Sequence, residues 1–365
     1  MILVTGATGF IGRGVVARLV AAGRAVTVLV RGRDGMPAPA RVAAALGGAA
    51  ALERLDVVEG DLATVGAWAA ADLRRLRAGI ETVIHCAGDT LFAPDVLAPF
   101  VAGHVEGPVA LLRCLAGGRL ARWTQLSTAF VCGERSDTIR ELEADVGQRF
   151  HNVYERSKLD AELRLRAAGR AAGVDVRVLR PSIVVGAAPT TAGGVPSNLF
   201  FAFIRLLATL AQWPGGIDAR LRIAAAPAAP FNIVPLDYVV AATIALAEHP
   251  DAADGTFHLV VPDAPTQAAM LAMLVERLGP RGITLLDAAT RPLIDPSPLE
   301  RRVARMLEPY RAYLTQVVRF DDTRAAAILR RCGVARPTLE RADVHRLVDL
   351  ALGLEASAAA APGGR

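Results

Sequence analysis

Blocks of consecutive apolar residues recur through the first half of the chain, each followed by small or polar residues and then by a stretch with helical spacing. Met1-Ile2-Leu3-Val4 is the first. A glycine-rich turn follows, then a helical segment carrying Val15, Val16, Leu19 and Val20 to a stop at Gly23, then a second apolar run from Ala25 to Val30. Runs that are apolar at successive positions, not alternate ones, predict strands buried on both faces. The same pattern predicts strands around residues 55–62, 82–88, 123–131 and 174–179. Helices are predicted at 65–76, 104–116 and 151–163, and residues 34–52 read as a loop with a helix. Alternation of this kind over about 185 residues predicts an α/β fold, a doubly wound parallel sheet of the Rossmann type.

Beyond Gly186 the pattern changes. Residues 187–197 are a Pro/Gly/Thr loop, and 198–213 an intensely apolar helix with Leu199, Phe200, Phe201, Phe203, Ile204, Leu206, Leu207 and Leu210. Residues 231–238 and 257–261 read as short strands returning to the sheet; the remainder to about 353 is mainly helical and rich in arginine. This divides the chain into a nucleotide-binding domain over 1–190, to which 226–262 returns, and a smaller, mainly helical C-terminal substrate lobe over 191–225 and 263–355. An Ala/Gly/Pro tail over 356–365 is expected to be disordered. The apolar helix reads either as a lid or apolar groove of the lobe or as a plain core helix.

Composition narrows the partners. Hydrophobic residues make up 53% and charged residues 21%, enough for a large core and too apolar for a disordered chain. The net charge of +5 comes from scattered arginines, and clusters such as Arg74-Arg75-Leu76-Arg77 and Arg301-Arg302 read as helix faces. Without a basic stripe interleaved with aromatics, no nucleic acid is expected, whereas anionic substrates and cofactor phosphates are. Cys86, Cys114, Cys132 and Cys332 lie far apart, and neither they nor the six histidines have metal-ligand spacing, so no metal is expected. The apolar start is already a strand, and no long uncharged apolar run follows. The expectation is therefore a cytoplasmic protein with no leader and no membrane span; the oligomeric state stays open.

The chemistry concentrates in His-Asn-Val-Tyr-Glu-Arg-Ser-Lys-Leu-Asp-Ala-Glu, residues 151–162. Tyr154 and Lys158 are four apart, one turn along the same helix face. Of 41 Lys plus Arg residues Lys158 is the only lysine, so its place four residues after one of four tyrosines is informative. An ammonium near a phenol favours the phenolate, so the Tyr154 pKa is expected to fall from about 10 and make it a proton donor to a carbonyl. Ser127 and Thr128 end a predicted strand, where ligands bind in open α/β sheets, and a hydroxyl there can bond a substrate carbonyl.

Thr5-Gly6-Ala7-Thr8-Gly9-Phe10-Ile11-Gly12 sits between the first strand and helix. Its Gly-x-x-Gly-x-x-Gly spacing lets the backbone approach a pyrophosphate at a helix N-terminus. Arg31 ends the second strand, where an arginine suits the 2′-phosphate of NADP and an acid would suit NAD. Asp61, before Leu62, ends the third strand where it can meet the adenine, and Ala87 and Gly88 leave room for the cofactor after the fourth.

Together, residues 5–12, Asp61, Ser127-Thr128-Ala129-Phe130-Val131-Cys132-Gly133, Tyr154 to Lys158, Arg180 to Gly186 and Phe231-Asn232-Ile233-Val234-Pro235-Leu236-Asp237-Tyr238-Val239 resemble an extended short-chain dehydrogenase/reductase. Within it the chain is most similar to the fatty acyl-CoA reductase and thioester-reductase branch, over roughly residues 1–262. The resemblance implies that Thr128 polarises the carbonyl, Tyr154 gives the proton, and Lys158 holds the nicotinamide ribose. It implies that Gly6, Thr8, Gly9, Phe10, Ile11, Gly12, Arg31, Asp61, Leu62, Ala87, Gly88, Lys158, Pro181 and Ile183 bind NADPH. The substrate would be an acyl thioester, on CoA or a separate carrier protein, or a bulky apolar aldehyde or ketone. His104 stands where the family usually has Asn before Val-Glu-Gly, and Pro108 follows Gly107. A nucleotide-sugar epimerase or dehydratase of the same superfamily is the alternative. Arg31, and Ala129-Phe130 where 4,6-dehydratases carry Asp-Glu, speak against it. A non-catalytic NADP-binding protein would not need Thr128, Tyr154 and Lys158.

Overall fold

The apolar runs of the first half assemble into one parallel sheet. The structure, a computed structural model, describes residues 1–90, 92, 97–187, 198–212, 221–280 and 282–354. The strands are β1 (Ile2–Thr5), β2 (Val26–Val30), β3 (Leu55–Glu59), β4 (Thr82–His85), β5 (Arg122–Leu126), β6 (Asp175–Pro181) and β7 (Thr256–Leu259). They lie in the order β7-β6-β5-β4-β1-β2-β3, and every pairing is parallel.

Successive strand residues serve opposite layers. Leu3, Leu29, Val58, Val83, Trp123 and Val176 pack with Leu111 and Leu112 of helix α2 (Gly107–Leu115) and Leu165 of helix α3 (Val153–Ala172). Ile2, Val4, Val28, Ile84, Leu126 and Leu179 belong to the opposite core, with Val15, Val16 and Leu19 of helix α1 (Phe10–Ala21). Burial on both faces is why the strands read as continuous apolar runs. Strand order reverses between β1 and β4, which opens a crevice at the C-terminal ends of the strands.

Several element boundaries differ from the sequence reading. The helix expected at 65–76 is two pieces, a 3₁₀ turn Leu62–Ala67 and a helix Ala70–Gly79. Asp61 accepts a bond from Ala63 N at 2.9 Å and its carbonyl takes Trp68 Nε1 at 3.1 Å, which tightens the turn and ends it. The helix expected at 104–116 starts earlier, at Leu97, and widens into a π-helical turn at Ala102–Glu106 before α2. Pro108 explains the widening, because it has no N–H for the carbonyl four residues back and its ring would clash there. The strand expected at 123–131 stops at Leu126, and Thr128 caps a short 3₁₀ turn Ala129–Cys132.

The return to the sheet is also narrower than expected. Thr256–Leu259 joins beside β6, but Ile233–Pro235 pairs with Ile183–Val185, outside the main sheet. Both edges of β6 are already taken by β5 and β7, so the chain beyond Ser182 must find a separate partner.

The apolar helix α4 (Leu199–Ala211) is a core element, capped by Asn198 through Phe201 N at 3.2 Å. Its Phe200, Phe201, Ile204 and Leu207 are fully buried. It packs against helices Gln267–Leu278 and Arg341–Leu352, so it is a core helix and not an open groove. Trp213, all but Ala187 of the loop expected over 187–197, and the tail expected over 356–365 lie outside the described residues. Helix α5 (Leu236–Glu248) packs on α1, and Arg319–Phe320 pairs with Thr138–Ile139, tying the C-terminal part of the chain to the segment after β5.

Candidate active site

Three strand ends and one helix converge on the crevice. β1 runs into residues 5–12, where Gly6 has φ +69° and a Cβ on it would lie 2.6 Å from Ala87 N. A Cβ on Gly12 would strike the Gly6 carbonyl oxygen, so both positions need glycine for this tight turn. Gly9 begins α1 with no side-chain cap, leaving the first-turn N–H groups to face the loop. Thr8 is half-buried, while Phe10 and Ile11 pack their side chains against the core behind the loop. This cradle, which any Cβ would fill, fits a dinucleotide pyrophosphate.

The Thr5 hydroxyl joins β1 to the end of β4, accepting from Ala87 N at 3.3 Å and lying 2.8 Å from His85 Nδ1. Burial, with Lys158 and His104 nearby, holds His85 neutral, its pKa pushed down to about 3. At the far end of the crevice Arg31 is exposed, with Nη1 3.8 Å from Asp61 Oδ2, and its carbonyl accepts a bond from Arg41. Arg31, Arg33, Asp61 and Trp68 line one open cleft there. Leu62 backs Gly107 so closely that a Cβ on Gly107 would lie 2.6 Å from the Leu62 carbonyl oxygen.

Thr128, Tyr154 and Lys158 come together at the end of β5. Asn152 caps α3 by accepting from Glu155 N at 3.0 Å, which fixes the helix start two residues before Tyr154. Lys158 is buried, donates to the Leu126 carbonyl at 3.2 Å, and places Nζ 5.8 Å from the centre of the Tyr154 ring. A Cβ on Gly88 would lie 3.1 Å from that Nζ, so the end of β4 passes close to the ammonium. The Thr128 hydroxyl lies beside the Tyr154 phenol, where it favours phenolate. Thr128 Oγ1 also accepts from Phe130 N at 3.3 Å.

The electrostatics correct one expectation. Burial raises the Tyr154 pKa, the bond from Thr128 offsets this in part, and the Glu155 carboxylate adds to the rise. The fall expected from Lys158 does not occur, because phenolate loses its water at this depth and the ammonium lies over 5 Å from the ring centre. Lys158 itself is pushed down to about 8 by burial, with Cys86, Glu162 and Asp89 opposing.

Ser127 is not available to a substrate. Its hydroxyl donates to Glu162, whose carboxylate also takes Arg180 Nε at 3.1 Å and Nη2 at 2.6 Å. Of the two strand-end hydroxyls, only Thr128 meets Tyr154. Pro181 is buried at the end of β6, and Ile183 packs beside Phe130 and Tyr313.

The site also holds His104, marked in the sequence where the family usually has Asn, and aromatic residues that no sequence pattern marked. His104 lies in the π-helical turn, stacked on Phe100 at 4.0 Å, with Nε2 accepting from Asp89 N at 2.7 Å. Its Nδ1 therefore carries the proton toward Ser157 Oγ at 3.4 Å, and Ser157 donates to the Tyr154 carbonyl at 2.9 Å. Burial holds His104 neutral, its pKa down to about 3. The Phe92 ring lies 6.1 Å from Tyr154 and packs in turn on Tyr310 at 5.8 Å and Tyr313 at 5.4 Å. Among the described residues no three His, Cys, Asp or Glu side chains gather as for a metal ion.

A family model described as "Male sterility protein" matches residues 4–243. The chain belongs to that family. As a Male sterility family member it shares its Rossmann-type parallel sheet with the solved relatives below. It is similar to a carboxylic acid reductase of Segniliparus rugosus, 30% identical over 237 residues, which covers 57% of this chain and 20% of that protein. The chain thus spans about a fifth of the length of this curated relative. Its fold is similar to the terminal R domain of the myxalamid PKS-NRPS pathway, with TM-score 0.76 and 23% identity over 97% of this chain and 91% of that one. It also resembles a thiolation-reductase di-domain of an archaeal non-ribosomal peptide synthetase, TM-score 0.74 and 19% identity over 97% and 75% of the two chains. UDP-glucuronic acid 4-epimerase from Bacillus cereus, in complex with NAD, follows at TM-score 0.69 and 19% identity over 98% and 99%. Among the described residues no helix is long and apolar enough to cross a membrane.

Proposed function

We propose that this chain is an NADPH-dependent reductase of an acyl thioester, carried on CoA or a separate carrier protein, or of a bulky apolar aldehyde or ketone. The observation that carries this reading is the meeting of Thr128, Tyr154 and Lys158 at the crevice beside the glycine cradle. The curated relative's name, carboxylic acid reductase, and the reductase and thiolation-reductase names of the solved relatives support it.

Residues 6–12, Ala87 and Gly88 would hold the pyrophosphate and the groups next to it, and Lys158 the nicotinamide ribose. Pro181 and Ile183 would lie on the nicotinamide side, and Asp61 and Leu62 by the adenine. Arg31, exposed at the end of β2 with Arg33 beside it in the same cleft, suits the 2′-phosphate and favours NADPH. When bound, the reduced nicotinamide supplies a hydride to the carbonyl carbon. Tyr154 gives its proton to the carbonyl oxygen, Thr128 bonds the oxygen left behind, and the Lys158 ammonium stabilises the phenolate. From a thioester this gives a hemithioacetal, which collapses to an aldehyde and a free thiol.

The test is NADPH oxidation, followed by absorbance, with a panel of acyl-CoAs and the matching aldehydes and ketones, and NADH in parallel. Turnover of a thioester is expected, faster with NADPH, and Tyr154→Phe should lower it by about 10²-fold or more. Activity on aldehydes or ketones alone would restrict the chain to carbonyl reduction. Conversion of UDP-glucuronic acid with NAD, and no oxidation with any panel member, would replace the reading by the epimerase one.

A further inference from the structure

The N-terminal turn of α3 is held from outside its own domain. Tyr313, in the helix Arg311–Thr315 of the C-terminal lobe, accepts a hydrogen bond from Asn152 Nδ2 at 2.8 Å. Its own hydroxyl donates to Glu155 Oε1 at 2.6 Å. These partners flank Tyr154 in sequence, and one of them is the cap that starts the helix. The Glu155 side chain is 0% exposed, and its other oxygen takes His151 N at 3.0 Å. The ring of Tyr313 is fixed as well, 5.0 Å from Phe130 in an edge contact and 5.7 Å from His151. Donor and acceptor are both used, so Tyr313 cannot itself deliver a proton without breaking this arrangement.

We propose that Tyr313 is a positioning residue, through which the C-terminal lobe sets the orientation of Tyr154. The physical reason is leverage. Tyr154 lies in the first turn of a helix, where backbone N–H groups have no intrahelical partner and the chain frays unless capped. The Asn152 side chain supplies that cap through its amide oxygen. The amide nitrogen is anchored by Tyr313, so the lobe decides which way the cap points. Hydride transfer and protonation need the phenol within hydrogen-bond reach of the carbonyl oxygen, and a displacement of about 1 Å can cost on the order of 100-fold in rate.

The inference rests on the proposed reductase reading for its kinetic arm, so the test has a second arm without turnover. The variant is Tyr313→Phe, which keeps the ring against Phe130 and deletes only the hydroxyl. In NADPH oxidation with octanoyl-CoA and octanal, kcat should fall by about 10-fold or more while KM for both substrates changes by less than about 3-fold. In a Tyr154→Phe background the same change should have no further effect, since it acts through Tyr154. Independently, hydrogen exchange of the amides of residues 153–158 should quicken in Tyr313→Phe, beginning with the Glu155 amide that Asn152 caps. Unchanged exchange there, or a rise in KM with kcat intact, overturns the proposal. An equal additional loss in the Tyr154→Phe background also overturns it, as that marks a merely structural role. If the wild-type protein reduces neither probe, the kinetic arm is run on whichever panel member it does reduce, and the exchange comparison by itself decides whether Tyr313 holds the turn.

Discussion

Lys158 occupies a position where a cation is costly. Burial lowers its pKa to about 8, and its compensations are the Leu126 carbonyl and the more distant carboxylates of Glu162 and Asp89. An arginine there would keep its charge at any working pH, and its planar fork could not fit the same point contact with the strand end. The proposed role needs the ammonium, which sets the sign of the pH dependence. Turnover should be sustained below pH 8 and fall as pH rises through about 8, when Lys158 loses its proton. A pH profile of kcat/KM checks this, and a rate still rising above pH 9 would remove Lys158 from the role. Tyr154 does not supply that limb, because burial moves its own deprotonation to higher pH. At this scale the spacing of Tyr154 and Lys158 was legible in the sequence, since four residues on a helix always fall on one face. The direction of the tyrosine shift was not, because it depends on how much protein covers the phenol.

Helix α3 is attached to the sheet by a buried ionic network. Glu162, two turns beyond Tyr154, takes the Ser127 hydroxyl from the end of β5 and the Arg180 guanidinium from the end of β6. Both partners of the pair are almost completely buried, with side-chain exposures of 1% and 2%. Such a pair adds little net stability over apolar packing, but removing one partner strands the other charge. Glu162→Ala should therefore destabilise the fold by about 3–5 kcal/mol, measured by urea unfolding. A loss below about 1 kcal/mol would mean that Arg180 finds water or the Glu143 carbonyl sufficient. The strands were legible because both of their faces are apolar. The break at Trp68 and Ala69 and the widened turn at Ala102–Glu106 were less so. They arise from local competition for backbone hydrogen bonds, by Asp61 in one case and the missing Pro108 N–H in the other.

Across the molecule, Glu141 does for the lobe what Glu162 does for α3. It is 1% exposed and accepts from His258 N of β7 at 3.1 Å, and from Arg324 N at 2.7 Å and Ala325 N at 3.0 Å in the first turn of helix Thr323–Arg331. Burial pushes its pKa up to about 7 against these three bonds, which favour the anion. Glu141→Ala would orphan three backbone donors at the seam between sheet and lobe, and a loss of about 3 kcal/mol or more is expected. Differential scanning calorimetry checks it, and an unchanged transition would show that the lobe does not depend on this carboxylate.

What the sequence determined by itself is whatever rests on local spacing. The glycine turn before α1, the parallel strands, the Tyr154–Lys158 face and the arginine at the end of β2 all follow from neighbours within a few residues. Tertiary structure decided which of Ser127 and Thr128 meets the phenol, because Glu162 lies 35 residues from Ser127 and claims its hydroxyl. It also made α4 a core helix, by packing two later helices on it. It brought Tyr313 to a turn 158 residues away. Contacts at such separations carry no periodicity, because they are fixed by how elements pack and not by how a chain turns.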